Sequence, residues 1–476
     1  MDNLYSIWRK QKEHLDKVKI ENPDLFRRQP IVDTNQLLGK IGINIFPENR
    51  PFVYLRLWPQ DFIVEEITKD NRIHTIDYFS ETTKSDDEGQ TIYADLVKVG
   101  VSTLDVIEEL EKNLGLGPKS IGYAGIKDRD AITSQLLSFR NVSIDKIQGI
   151  RASNFFLKNI YQGKGALQAG DLLGNRFTII LRGTEFFNAD AIEKNIKEYE
   201  KTGFWNFFYT QRFGTPRLLS HYLGLLLLRR KYEEVIKVLL TRETEYEISY
   251  FKKLRSQVLE KWGDWDTAIS IFENLPYSFR RELSIFKYLK ENQGDFLGAL
   301  KLFPDQVQIW IYAYASYLFN RKLSIMIEKG DVPDSLPLLL SRNPGDWDIY
   351  REFLESDEVM MPSPVFRDFP YIQLKERLVN TRQKFDFQDF KIVSDLPKIG
   401  VISFSLPKGS YATTFLAHFF ALSGNIPVLP EISTEIVDSQ KILDIGSIES
   451  ITEIFKDVIV SKLESKEEPL LEQISE

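Results

Sequence analysis

The sequence contains no cysteine in 476 residues. That excludes disulfides, thiol nucleophiles, iron–sulfur clusters and Cys-ligated zinc. Histidine is scarce: His14, His74, His221 and His418 are the whole supply. No two stand close enough in the chain for a local metal-binding pair, so a zinc hydrolase or a histidine-based triad is disfavoured and no metal site is expected. Long apolar runs are also missing. The longest stretch without Asp, Glu, Lys or Arg is 409–430, long enough for the roughly 20 residues of a bilayer-spanning helix. It is broken by His418, Asn425, two glycines and two prolines. The first 12 residues are mixed in charge and lack the apolar core of a secretory signal. No membrane span is expected, and the expected location is cytoplasmic.

What is present suits a folded chain of two or three domains, with 43% hydrophobic and 27% charged residues over about three times the usual ~150-residue domain length. The net charge of −8 is unevenly placed. Residues 431–476 hold 12 acidic and 4 basic side chains, so residues 1–430 sum to zero. Within that neutral body, residues 120–182 carry 9 Lys/Arg against 4 Asp/Glu. A basic stretch on a neutral body is compatible with an RNA-binding face, and equally with ordinary charge fluctuation.

Periodicity divides the chain. Residues 1–50 form an N-terminal helical extension, interrupted at Pro23. Strand composition is evident at 52–56, 62–64, 91–98, 121–124 and 176–182, with a polar loop at 82–89. Thr103 is placed to cap a helix whose Leu104, Ile107, Leu110 and Leu114 share a face, and Gly115 with Gly117–Pro118 stop it. From 218 to about 329 the pattern turns helical, with single helices expected at 222–240, 248–262, 265–272 and 309–327. Strand composition returns at 400–406. The expected class is α/β (α+β): a mixed-sheet body in two parts, 51–215 and 396–430, interrupted by a helical insertion at 216–395 and followed by an acidic tail at 431–476.

Three clusters could carry chemistry. In residues 122–135 a short apolar strand runs into glycine, and Asp128 then stands between Lys127 and Arg129. Two adjacent cations favour an ionised carboxylate fit to act as nucleophile or base; a solvated turn is the ordinary alternative. Between Phe204 and Phe213 six aromatics interleave with Asn206, Gln211 and Arg212. Rings hold a flipped-out base while amides read its edge, although a core strand with polar exits has the same pattern. At 406–413, Lys408 beside Gly409 and Ser410 could receive a phosphate or simply enter a helix.

Taken together these clusters resemble the signatures of the TruD family of pseudouridine synthases. That family has Gly-x-Lys-Asp-Arg-x-Ala-x-Thr-x-Gln, here 125–135; Asn-Tyr-Phe-Gly-x-Gln-Arg-Phe-Gly, here 206–214; and Leu-Pro-x-Gly-Ser-Tyr-Ala-Thr, here 406–413, in the same order. The Pro-Glu-Asp-Phe-x-Val-x-Glu entry is similar to 59–66, with Gln60 for Glu. Residues 174–177 resemble its Gly-Asn-Arg-Phe segment, and Ser316–Asn320 with Leu323-Ser324 its insertion-domain helix. The likeness runs from about 51 to 416.

The resemblance implies a pseudouridine-synthase catalytic domain carrying a helical insertion, acting on tRNA or another structured RNA without cofactor or metal, as a monomer. The reaction implied is isomerisation of uridine to pseudouridine, typically at position 13 of tRNA. It places the catalytic carboxylate at Asp128 with Lys127 beside it. Base contacts fall on Phe62, Asn206 and Tyr411, and the stacking ring on Phe208. Glu66, Gln211 and Arg212 join the substrate-binding set, with Arg129 and Lys408 as phosphate contacts. The chain departs from the pattern at Arg56 (Lys in the family), Trp205 (Pro), Tyr209 (Gly), Ala315 (Gln), and Ala417 and His418 (Arg-Glu). Those departures motivate a second reading, a catalytically quiet RNA-binding protein of the same fold. A third is a helical scaffold whose acidic tail docks a partner.

Overall fold

In the computed structural model, residues 2–78, 89–276 and 279–464 are described. The polar loop expected at 82–89 falls outside them up to residue 88, as does the end of the acidic tail. The chain forms two compact units, one of Met1–Glu48 with Asn206–Thr381, the other of Asn49–Trp205 with Arg382–Ser465.

The second unit is built on a ten-stranded mixed sheet. Its first seven strands are β1 (Phe52–Tyr54), β2 (Phe62–Thr68), β3 (Thr91–Val99), β4 (Ile121–Tyr123), β5 (Ile132–Arg140), β6 (Phe155–Gly163) and β7 (Leu172–Gly183). Across the sheet the order is Asp386–Val393, Leu396–Pro407, β7, β2, β5, β3, β6. The β2–β5 pair is parallel, Ile63 opposite Ile132, while β3 runs antiparallel to β5 with Lys98 opposite Thr133. The start of β2, the start of β5 and the end of β3 therefore lie at one edge. Strand alternation sends Leu96 to one face and Val97 to the other. Leu96 packs with Val106 and Leu110 of the helix Thr103–Leu114, whereas Val97 and Ile63 pack with Ile448, Ile451 and Phe455. β5 escapes the composition signal because Thr133, Ser134, Gln135 and Ser138 break the apolar run of a strand that is nonetheless buried, and β6 also lies outside the expected strands.

Two expectations change here. Residues 431–464, expected as part of an acidic tail, are packed: Ile448, Ile451 and Phe455 complete a core of the second unit. Thr103 is not the helix cap; Ser102 is, its side chain accepting from Asp105 N, and Thr103 turns inward.

The first unit is helical, and the extension at its N-terminus is part of it: Leu15 and Phe26 belong to the same apolar core as Leu223, Trp310 and Tyr314. The long helix Pro304–Lys329 crosses the helix Ser220–Leu228 so closely that a Cβ on Gly224 would lie 2.0 Å from Trp310 O. The single helix expected at 222–240 is two, Ser220–Leu228 and Tyr232–Thr241. The break falls at Arg230, whose φ is +57°. Apolar periodicity runs through that turn because both helices bury leucines. Among the described residues no helix is long and apolar enough to cross a membrane.

Candidate active site

Asp128 sits in the connection between β4 and β5. These strands pair antiparallel, Tyr123 opposite Leu137, so residues 124–131 fold back along β5. Gln135 holds them there: its Nε2 donates to Gly125 O (3.0 Å), and its Oε1 accepts from Thr103 Oγ1 (2.9 Å). Thr103 Oγ1 accepts in turn from Lys127 N (3.1 Å). Lys98, fully buried, donates to Val101 O (2.9 Å) and to Asp128 O (2.7 Å). The edge shared by β2, β3 and β5 thus clamps the backbone of Asp128 while its side chain stays 38% exposed.

The neighbours of that carboxylate differ from expectation. Lys127 turns inward to Glu66, 2.5 Å away, with both side chains almost wholly buried. Alternation puts Glu66 on the face of Gln135, under the connection, where a desolvated carboxylate requires a cation. Glu66 also accepts from Leu136 N (3.3 Å). It is a fully buried counter-ion for Lys127. Arg129 is exposed. The cation on Asp128 is Arg56, Nη2 to Oδ1 3.1 Å. Its guanidinium also lies 3.9 Å above the centre of the Phe62 ring, which is only 1% exposed. A planar guanidinium can stack and bond in-plane at once, which an ammonium cannot. Arg56 adopts φ +60°, a left-handed conformation.

Arg56, Lys98, Thr103 and Gln135 received no site role from the sequence. The signal available was a lone cation, Lys98, ending an apolar strand. Burial pushes the Lys98 ammonium down to about 8, against the pull of Asp128 and Asp130. The unfolded chain, with an ordinary lysine, holds more protons between that value and about 10.4, so stability attributable to Lys98 rises with pH through this window. Urea unfolding of wild type and Lys98→Met at pH 7.5 and 9.5 checks it. The stability difference, wild type minus variant, is expected to grow by on the order of 2 kcal/mol between the two pH values, and an unchanged difference would contradict it.

Within the same unit, Lys408 is exposed and donates to Gly170 O (2.9 Å), and Tyr411, 49% exposed, precedes the short helix Ala412–Leu416. The departures at 417–418 are accommodated locally. His418 is buried and accepts from Trp205 N at Nε2 (3.0 Å), so Nδ1 carries the proton toward Thr414 O (2.8 Å). Burial holds its pKa down at about 3. Arg50 donates to Ala417 O and Phe420 O, and Trp205 is covered by the Arg382 guanidinium, 3.5 Å from the ring centre.

The aromatic loop at 206–214 belongs to the first unit. Asn206 donates from its backbone to Thr381 O and from its side chain to Asn380 O, both 2.9 Å. Phe208 is half-buried, edge-on to Phe319 (5.4 Å), with the Arg212 guanidinium 5.5 Å from its ring centre. Both backbone groups of Phe208 are held by Asn320, which donates to its carbonyl (2.8 Å) and accepts from its N–H (2.9 Å). Gln211 is exposed on the short 3-10 turn Thr210–Phe213. Each unit thus gathers its own share of the residues marked from sequence: Phe62, Glu66, Lys127 and Asp128 in one, Asn206, Phe208, Gln211 and Arg212 in the other. Among the described residues no group of three or more His, Asp or Glu side chains is arranged to hold a metal ion.

Comparison with known proteins follows the same lines. The family described as tRNA pseudouridine synthase D (TruD) matches residues 44–336. The chain is 28% identical over 384 residues to "tRNA pseudouridine synthase D" of Aquifex aeolicus, covering 72% of this chain and 95% of that protein. It is 29% identical over 342 residues to "Probable tRNA pseudouridine synthase D" of Archaeoglobus fulgidus, covering 71% and 75%. A solved Methanosarcina mazei chain described as a TruD protein superposes with a TM-score of 0.66 at 23% identity, covering 82% of this chain and 98% of that one, a likeness of fold. With more than half of its length matched by the family, the chain belongs to the tRNA pseudouridine synthase D (TruD) family.

Proposed function

We propose that the protein converts uridine to pseudouridine in tRNA, at position 13, with Asp128 as the catalytic carboxylate. In this isomerisation the C1′–N1 bond breaks, the uracil turns over, a C1′–C5 bond forms, the proton on C5 leaves and N1 ends protonated. Nothing is oxidised or reduced. The step needs a carboxylate held at a defined point, either to attack the ring or C1′ or to remove a proton, and a base lifted out of its stack to meet it.

The observation that carries the reading is the Arg56–Asp128 pair: a carboxylate with a clamped backbone, a solvent-accessible side chain and one guanidinium partner. Arg56 answers one departure from the family pattern, because it keeps a cation on Asp128 where lysine is usual. In the same reading Phe208 and Asn206 contact the RNA base, while Arg129, Arg212 and Lys408 meet phosphates and make binding salt-dependent. The test is a tRNA transcript with uridine at position 13, incubated with the purified protein and mapped for pseudouridine. Conversion at that single position is expected. Tight binding without conversion of any uridine would overturn the synthase reading in favour of a quiet RNA-binding protein.

A further inference from the structure

We propose that residues 31–46 are a brace that sets the position of the RNA-recognition loop 206–214, with Asp33 and Tyr209 as positioning residues; this rests on the reading that Phe208 meets RNA. Three consecutive loop residues are held from one side. Phe207 is buried, edge-on to Phe46 at 5.9 Å. Tyr209, 6% exposed, donates its hydroxyl to the carboxylate of Asp33, 5% exposed. Between them, Asn320 divides its amide protons between Phe208 O (2.8 Å) and Ile41 O (2.9 Å), so one side chain ties loop and brace to the same helix. Phe208, the middle residue, is the one left half-open to solvent.

The brace is itself preorganised. Thr34 caps the short helix Asn35–Gly39, and Asn35 Nδ2 donates to Phe46 O (2.9 Å), closing the segment on itself. Ser324 donates to Gly42 O (3.0 Å). Gly42 has φ +84°, and a Cβ there would lie 3.0 Å from Tyr317 O, so only glycine lets the segment approach the helix this closely. Most of the brace precedes the family match, which begins at residue 44. Tyr209 stands where the family signature has glycine, the residue with most backbone freedom. This chain instead spends a buried tyrosine–carboxylate bond on holding that point of the loop.

The test measures tRNA affinity and turnover in Tyr209→Phe, Asp33→Ala, the double variant and Asp33→Asn, each alongside its melting temperature. Each of the first two is expected to weaken tRNA binding and lower kcat/KM roughly tenfold, the scale of one hydrogen bond to a charged group. The double variant should lose no more than Asp33→Ala alone, and Asp33→Asn, which keeps an acceptor, should stay close to wild type. If Asp33→Ala does not fold, Tyr209→Phe and Asp33→Asn decide the matter, since both keep the local volume. Binding and turnover within twofold of wild type in Tyr209→Phe would overturn the brace whatever the melting temperature does, because a purely structural bond moves stability alone. Affinity separates this from the synthase reading: a wild-type protein that binds tRNA but makes no pseudouridine removes that reading, while the affinity of Tyr209→Phe still decides the brace.

Discussion

Asp128→Asn is expected to bind tRNA as wild type does and to form no detectable pseudouridine, a loss on the order of 10⁴ in kcat/KM, the scale seen when a single catalytic group is removed. The substitution changes charge and little else. The amide oxygen of asparagine can still accept from Arg56 Nη2, and the Asp128 carbonyl keeps its bond to Lys98, because both contacts depend on atoms the change preserves. The partly exposed position adds no large desolvation term. Fold and binding should therefore survive, and the loss should sit in the chemical step. Single-turnover assays with saturating enzyme read this directly. Activity within tenfold of wild type would remove Asp128 from the reaction and leave the cleavage to another group.

The largest expected effect on stability lies elsewhere. Arg182 is fully buried on β7 and makes four charge-assisted bonds. Two go to the carboxylate of Asp61 (2.8 and 2.7 Å) and two to the carbonyls of Ser433 and Glu435 (2.8 and 2.9 Å). Asp61 also accepts from Trp58 N (3.0 Å) and ends the turn from which β2 and Phe62 start. One guanidinium joins the sheet, the entry to β2 and the C-terminal segment. Arg182→Met leaves the buried Asp61 carboxylate without its counter-ion, retaining the Trp58 N–H bond, and removes the guanidinium from the Ser433 and Glu435 carbonyls, which costs about 3–5 kcal/mol. Denaturant unfolding should show that loss, and limited proteolysis should cut first within residues 431–464. A loss below about 1 kcal/mol would mean that water replaces the guanidinium without penalty, contrary to the burial of the site. The same bonds bear on the scaffold reading, since removing residues 431–464 would strip Ile63, Val97 and Phe156 of Ile448, Ile451 and Phe455.

Much of the second unit was legible. Strand composition located β2, β3, β4 and β7 and the return strand Leu396–Pro407 to within a few residues, because a half-buried strand must alternate or cluster its apolar side chains. β5 and β6 were not legible. β5 buries Thr133, Ser134 and Gln135 at its start, and one of these, Gln135, anchors the Asp128 connection, so polar residues with a structural partner replace the apolar pattern there. Helix composition located helices of the first unit, yet not the break at Arg230, which depends on one left-handed residue inside a continuous apolar run. Charge bookkeeping misjudged the C-terminal segment. Its acidic residues marked it as a tail, whereas Val437, Leu443, Ile448, Ile451 and Phe455 are buried in cores shared with strand residues of the sheet.

By itself the sequence determined which chemistry was available: a chain without thiols, poor in histidine, with one carboxylate set among cations in a glycine-led turn and the ordered signatures of a family around it. Such information is local, because residue type and near-neighbour spacing decide what a side chain can do. Partnership was decided only by tertiary structure. Lys127, adjacent to Asp128 in the chain, pairs with Glu66, while Arg56, 72 positions away, takes Asp128. Parallel pairing of β2 with β5 brings the beginnings of two distant strands to one edge, and strand alternation then assigns each neighbour of Asp128 to a face. Charges meet according to sheet register and burial, and neither is written in the distance between residues along the chain.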